Sequence, residues 1–384
     1  MNMSVNKQMR TAALERRRDT ARQRMRDAGL EALVVYGSGR HSLLTSNPAW
    51  YLTGFKQLGP HMAVVLPAEG EASVVVTPVW DLKRAREATG LDDLVAVDPE
   101  SFLATVKEIV GRRGLSARRI GVAGGGAQPR FIGEAWADVL GGAPQDSEKL
   151  VSDIAKYRDD WSMTCTREAV RIAEESYQWL LEFVRPGMSE LEMGAELEAD
   201  IRRRGAQDNF QLLSASQHNR SVHRPTERIL QRGDVILAEI TPGVEGEFMQ
   251  ICRTAVIGAA TDLQKEKFAL LDTSLKAGMA IAKPGTHVHD VVHAMNAPIV
   301  AAGYEKYTKP PYMRTRGHSM SLGSMDPELA LHQDHVLDTG MALVMHPNQY
   351  IPDTGYMMCG EPIHIEASGA RILTSRYGIL DEIR

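Results

Sequence analysis

The chain has 384 residues, of which 43% are hydrophobic and 24% charged, with a formal net charge of −5. That length exceeds what one hydrophobic core usually serves, so two domains are expected. The acidic balance argues against a nucleic-acid or anionic-membrane surface, and no stretch reaches the roughly 18 consecutive apolar residues of a membrane span. The N-terminus, Met1 to Arg18, is polar and basic without an apolar segment, which predicts a cytoplasmic protein. Three widely spaced cysteines, Cys165, Cys252 and Cys359, support neither a disulfide framework nor a thiolate zinc site.

In chain order, alternating periodicities predict an α/β domain over residues 1–155. Its elements are a helix over 15–29, strands over 32–36, 61–66 and 72–76, a helix over 102–112 and a strand over 119–123. Arg16 to Arg18 reads as the solvated face of the first helix. Gly124 to Gly126 lacks the spacing and downstream acid of a dinucleotide fingerprint and reads as a loop. From residue 156 to 384 the pattern becomes helix pair, strands, helix pair, strands. Long helices are predicted over 161–184 and 190–204, the second opened by a Ser189/Glu192 capping box, and again over 262–280 and 288–302. This internal duplication implies an α+β domain with helices on one face of a curved antiparallel sheet and a cavity on the other.

The centre of that domain is a hairpin. Apolar runs Val235 to Ile240 and Phe248 to Ile257 flank turn residues Thr241 to Gly246, and strand alternation lets Glu239 and Gln250, eleven residues apart, face one cavity. A carboxylate at the end of a buried strand needs a reason.

Further motifs follow in order: Arg185-Pro186-Gly187 with Glu192; His223 and Pro225 ahead of Gly233-Asp234; Arg253-Thr254 closing the hairpin; Gly317-His318-Ser319; and Met345-His346-Pro347-Asn348 with Tyr350 and Pro352. In this order the chain resembles the pita-bread family of methionine aminopeptidase, prolidase and creatinase, and its first domain resembles that of the creatinase and prolidase branch. The resemblance implies a creatinase/prolidase-like N-terminal α/β domain followed by a pita-bread catalytic domain. It also implies a homodimer in which a partner's N-terminal domain closes the site.

The family's peptidases hold two metal ions, and their ligand positions fall here on Glu239, Gln250, His318, His346 and Gly360, with Glu361 adjacent. Bridged hard cations need carboxylates, so a dinuclear site is not expected from these residues. Two chemistries stay open. In the first, no metal or other cofactor is bound, as the resemblance to creatinase implies; His223 serves as general base and acid, with Glu239, His318 and His346 positioning water and substrate. In the second, Glu239, His318 and His346 hold one divalent ion. The metal-free reading is taken as the expectation: a C–N hydrolase acting on a small polar, carboxylate-bearing molecule other than creatine, since Cys252 and His346 stand where creatinase is implied to clasp a guanidinium with glutamates. The alternative of another class is a non-catalytic small-molecule binder on the same fold.

Arginines grip carboxylates in bidentate fashion. Arg224 and Arg316, with Arg220 and Arg314, are therefore expected at the substrate, together with Gln250, Cys252, Tyr350, Glu361 and, from the first domain, His61. The spacing of His287, His289 and His293 does not place all three on one helix face, so they read as surface positions. His332 and His335 read as flanking an exposed turn.

Overall fold

The apolar runs of the first domain become the interior strands of a six-stranded sheet. The structure is a computed structural model that describes residues 3–40, 43, 45–115, 118–322 and 326–384. It divides into two compact units, one of residues 1–161 with 321–325 and one of 162–320 with 326–384.

The first unit contains β1 (Ala32–Gly37), β2 (Met62–Pro67), β3 (Ser73–Val76), β4 (Leu94–Ala96), β5 (Ile120–Ala123) and β6 (Gln145–Asp146), in the sheet order β4-β3-β2-β1-β5-β6. The β1–β2 and β2–β3 pairs are antiparallel, and the other three are parallel. Helices α1 (Met3–Asp27), α2 (Pro48–Thr53), α3 (Leu82–Thr89), α4 (Phe102–Arg112), α5 (Arg130–Leu140) and α6 (Glu148–Ala155) complete it. Strands covered on both faces read as unbroken apolar runs, and the chain shows this: every residue of β1, β2 and β3 is buried. Gly124 is in the left-handed region at φ 87°, and a Cβ there would lie 2.1 Å from the Tyr36 carbonyl oxygen. The amides of Gly124 and Gly125 both donate to the Glu148 carboxylate, so this glycine run is internally satisfied.

The second unit opens with α7 (Asp160–Phe183) and α8 (Glu190–Arg203). Both reciprocal hydrogen bonds of the Ser189/Glu192 capping box are present. Then come β7 (Asp208–Ser216), β8 (Val235–Val244), β9 (Glu247–Phe248) and β10 (Ile251–Ile257). The hairpin turns later than its composition suggests: β8 continues through Pro242 to Val244, and Glu245 and Gly246, at φ 51° and 81°, make the tight reversal. Two consecutive positive φ values match the right-handed strand twist that a two-residue hairpin needs. A second helix pair, α9 (Asp262–Ile281) and α10 (Val288–Ala301), precedes β11 (Gly317–Ser319), β12 (Ala342–Met345), β13 (Gln349–Ile351), β14 (Gly355–Met357), β15 (Glu361–Glu366), β16 (Gly369–Ile372) and β17 (Leu380–Ile383).

Each helix pair covers its own sheet. Residues such as Ile172, Leu180, Leu197 and Ile201 pack on the β7, β8 and β10 side chains Leu213, Ala238 and Ala255. Leu271, Leu275, Val291 and Met295 pack on Leu343, Met345 and Ile363 of β12 and β15. The sheets run β17-β10-β8-β7, with β9 on β8, and β11-β12-β15-β16. One pairing departs from the antiparallel expectation, since β17 joins β10 in parallel. The two sheets meet where Cys252 and Gly360 exchange backbone hydrogen bonds of 3.2 and 3.1 Å. This is the pita-bread arrangement. Among the described residues, no helix is long and apolar enough to cross a membrane.

Candidate active site

Strand alternation builds one face of the site. Glu239 stands directly opposite Cys252 across β8 and β10, and the same register, between the Ile240–Ile251 and Gly243–Phe248 pairs, sets Thr241 opposite Gln250. All four side chains therefore share a face. Gln250 hydrogen-bonds the Glu239 carboxyl; burial outweighs that bond and pushes the carboxyl up to about 7. The Nδ2 of Asn348 and the Nε2 of Gln250 each approach the Cys252 sulfur at 3.5 Å. Burial, reinforced by the nearby Glu239 charge, raises the Cys252 thiol well above its ordinary value, so it is no ready nucleophile.

The second wall comes from β11, the end of β12 and the start of β15. The His318 and His346 rings meet edge to face with centroids 5.6 Å apart. His318 Nδ1 donates to the Ser319 carbonyl at 3.1 Å, which leaves Nε2 with the lone pair. Burial lowers His318, and burial together with neighbouring His318 presses His346 down to about 3. Both imidazoles are thus neutral at physiological pH. A Cβ on Gly360 would stand 2.7 Å from His346 Cβ and 2.9 Å from Cys252 Cβ, so His346 and Cys252 fill the space that a side chain at 360 would use.

Three buried polar atoms in this set have no hydrogen-bond partner: Thr241 Oγ1, Gln250 Oε1 and His346 Nδ1. Leaving such atoms unpaired costs about 1–3 kcal/mol each. Three such atoms close together on facing elements make this the candidate site. Thr241 and Asn348 belong to this site and were not picked out from sequence. Strand parity with Glu239 was the available signal for Thr241, and the two-residue step from His346 was the signal for Asn348.

Several expected substrate residues are engaged by other parts of the protein. Arg316 is fully buried, with Nε on Asn296 Oδ1 at 2.8 Å, one amino group on the Asn348 carbonyl at 3.1 Å and the other on Gln349 Oε1 at 2.8 Å. It braces the segment carrying His346 and Asn348. Burial brings its guanidinium down to about 10. Glu361 is likewise committed: Arg253 approaches it at 3.1 Å, the Thr374 hydroxyl at 2.6 Å and the Gly378 amide at 2.7 Å. It does not swing into the place of Gly360. Arg224 is exposed, and Arg314, also exposed, reaches Glu328 at 3.3 Å. Tyr350 joins an aromatic group, stacking on Tyr312 at 5.8 Å beside Tyr307 and His218.

His223 lies on an exposed loop whose backbone pairs with Leu213 of β7, and its Nδ1 donates to the Arg224 carbonyl at 2.8 Å, leaving Nε2 as the basic atom. Its neighbour Val222 packs against the cluster that contains Cys252. His61 sits in the first unit, 2.8 Å from the Tyr36 hydroxyl, on a cavity of about 620 Å³ shared with Asn47, Gln128 and Phe131.

A family model described as metallopeptidase family M24 matches residues 164–372, and one described as the creatinase/prolidase N-terminal domain matches residues 17–153. The chain belongs to metallopeptidase family M24. Among its relatives is the uncharacterized peptidase YqhT of Bacillus subtilis, 28% identical over 211 residues, a match spanning 54% of this chain and 59% of that protein. The putative dipeptidase YkvY of the same organism is 23% identical over 91% of this chain and 95% of its own length. The solved structure of an Xaa-Pro dipeptidase from Bacillus anthracis superposes with a TM-score of 0.82 at 21% identity, covering 96% of this chain and 99% of the other.

These findings overturn two expectations. The metal-free, creatinase-like C–N hydrolase does not stand, because the matching family is one of metallopeptidases and the relatives carry peptidase and dipeptidase names. The absence of a cofactor falls with it. Losing carboxylates removes the bridge between two ions, yet it leaves neutral imidazoles, which are themselves metal donors.

Fitted to this chain's residues, a two-ion centre fails on chemistry: Gly360 has no side chain and Gln250 is neutral. By donor type alone, one ion suits these residues better than two. His346 presents a buried nitrogen without a partner, His318 keeps Nε2 free, and Glu239 is a half-buried carboxyl beside Gln250. As a set the three are not drawn together: among the described residues, the group of three such ligand atoms lying within 4.8 Å of one another is His287, His289 and Asp334.

Proposed function

We propose that this protein is a peptidase-like hydrolase that cleaves the amide C–N bond of a dipeptide-sized substrate, with one divalent ion held by His318, His346 and Glu239. The unpartnered, buried His346 Nδ1 beside His318 is the observation that carries this reading. An ion so held supplies Lewis-acid polarisation of the scissile carbonyl and lowers the pKa of a bound water. The chain's own groups do the rest. Gln250 Oε1 accepts from a substrate N–H, the Thr241 hydroxyl donates to or accepts from the substrate's amide groups, Asn348 fixes the floor at Cys252, and His223 passes a proton from Nε2 to the leaving nitrogen. The dipeptidase names of the relatives support the substrate size.

Residues 1–155 as N-terminal domain and 156–384 as catalytic domain, homodimeric assembly and a cytoplasmic location belong to the same proposal, and light scattering and cell fractionation check the last two. The functional test is a panel of dipeptides, Xaa-Pro included, assayed with metal-depleted protein before and after adding back manganese, cobalt or zinc. Turnover restored by metal supports the reading. Tight dipeptide binding with no turnover under any metal would replace the enzyme with a binder.

A further inference from the structure

His287, His289 and His293 do not share one helix face and read as surface or N-terminal helix positions, and the structure places His287 and His289 there, partly exposed. The helix does not yet exist at His287. It is the N-cap of α10, with extended backbone at φ −70° and ψ 140°, so the chain bends between the two residues. Their rings stack with centroids 5.0 Å apart and planes 28° from parallel. Asp334, from a segment far along the chain, brings Oδ1 to 3.0 Å from His287 Nδ1. One ligand atom from each of the three lies within 4.8 Å of the other two. Asp290 Oδ1 lies 3.5 Å from His289 Nε2, outside that group of three.

The backbones that present these groups are fixed to each other. The Gly285 amide donates to the Leu337 carbonyl at 2.9 Å, the Leu337 amide to Thr286 at 2.8 Å, and the Val288 amide to His335 at 2.9 Å. The ligands therefore project from a pinned two-stranded scaffold. Two imidazoles and a carboxylate, with further positions open to water, form a donor set for a borderline divalent ion.

We infer that His287, His289 and Asp334 form a second cation site of the zinc class, sharing no residue with the cavity. The site ties the start of α10 to the segment 327–337. The near end of that segment flanks the strand of His318: Ser319 donates to Pro327 at 2.9 Å, Leu329 to Gly317 at 2.8 Å and Arg316 to Leu329 at 2.8 Å. A cation here anchors the far end of the same segment. It also bears on any metal count, since two ions per chain would then be two separate mononuclear sites and no dinuclear centre.

The test is equilibrium dialysis of untagged, metal-depleted protein against zinc, comparing the wild type with H287A/H289A and with E239Q. All these substitutions keep the backbone scaffold. The inference predicts two equivalents in the wild type and one in H287A/H289A, with dipeptide turnover kept in that variant. E239Q is expected to lose the other equivalent. If the cavity holds no ion, the wild type binds one equivalent and H287A/H289A none, in which case this site stands and the proposed function falls. Zinc uptake by H287A/H289A equal to wild type, or wild-type binding at this cluster that does not saturate at micromolar zinc, overturns it.

Discussion

Residues 252 and 253 are neighbours on β10, and residues 360 and 361 meet them on the other sheet, yet the two faces of this seam have opposite character. On one face, beside Cys252 and Gly360, Thr241, Gln250 and His346 keep polar atoms without partners. On the other, Arg253 and Glu361 are almost entirely buried and fully engaged: Arg253 donates to the Gly360 carbonyl at 2.6 Å, and Glu361 accepts from Thr374 and Gly378. Satisfied buried groups hold a structure together, while unsatisfied ones call for a further partner, a water or a ligand. A single residue of strand parity separates the two roles.

The largest effect should come from the satisfied face. Glu361→Gln leaves the Arg253 guanidinium buried without its anion, and removing one partner of a buried ion pair costs about 3–5 kcal/mol. Chemical denaturation should show that loss, and a shift below about 1 kcal/mol would mean that water reaches the pair. The cavity face should respond in the reverse sense. Glu239→Gln is expected to lower turnover by about 100-fold or more while the thermal midpoint holds or rises, because an uncompensated buried carboxyl is removed. Equal losses of stability and activity would erase the contrast between the faces.

At the seam itself, Gly360→Ala puts a methyl against His346 and Cys252, and overpacking of this kind costs about 1–3 kcal/mol. Restoring a longer acid at 360 should therefore destabilise the protein without building a second metal position, as metal counting would reveal. The smallest effect lies in the first unit. Burial raises the Asp93 carboxyl, but Ser73, Arg112 and Arg113 more than reverse this and hold it at about 2 against an ordinary 3.8. A depressed carboxyl stabilises the fold above its unfolded pKa, and that contribution fades as pH falls from 3.8 toward about 2. Acid titration of Asp93→Asn should show a shallower loss of stability across that window.

Much of the fold was legible because its signals are local. The capping box, the apolar runs of β1 to β3 and the parity of Glu239 with Gln250 are all written within a few residues. Depth and partnership are not local. Nothing beside Arg316 in the chain reveals that Asn296 and Gln349 enclose it, and nothing beside Glu361 reveals Arg253. The surface reading of His287 and His289 holds, but their shared contact with Asp334 comes from a segment far along the chain and leaves no local trace. The metal-free expectation failed on kinship, since the chain matches a metallopeptidase family and relatives with peptidase names, which the altered ligand positions alone do not disclose.

The most direct test of the central claim is to count metal and follow turnover together in the H287A/H289A background, where the cavity is the remaining site. One ion per chain, with dipeptide hydrolysis lost on chelation and recovered on adding metal back, is the predicted result. Full turnover that survives complete metal removal would contradict it.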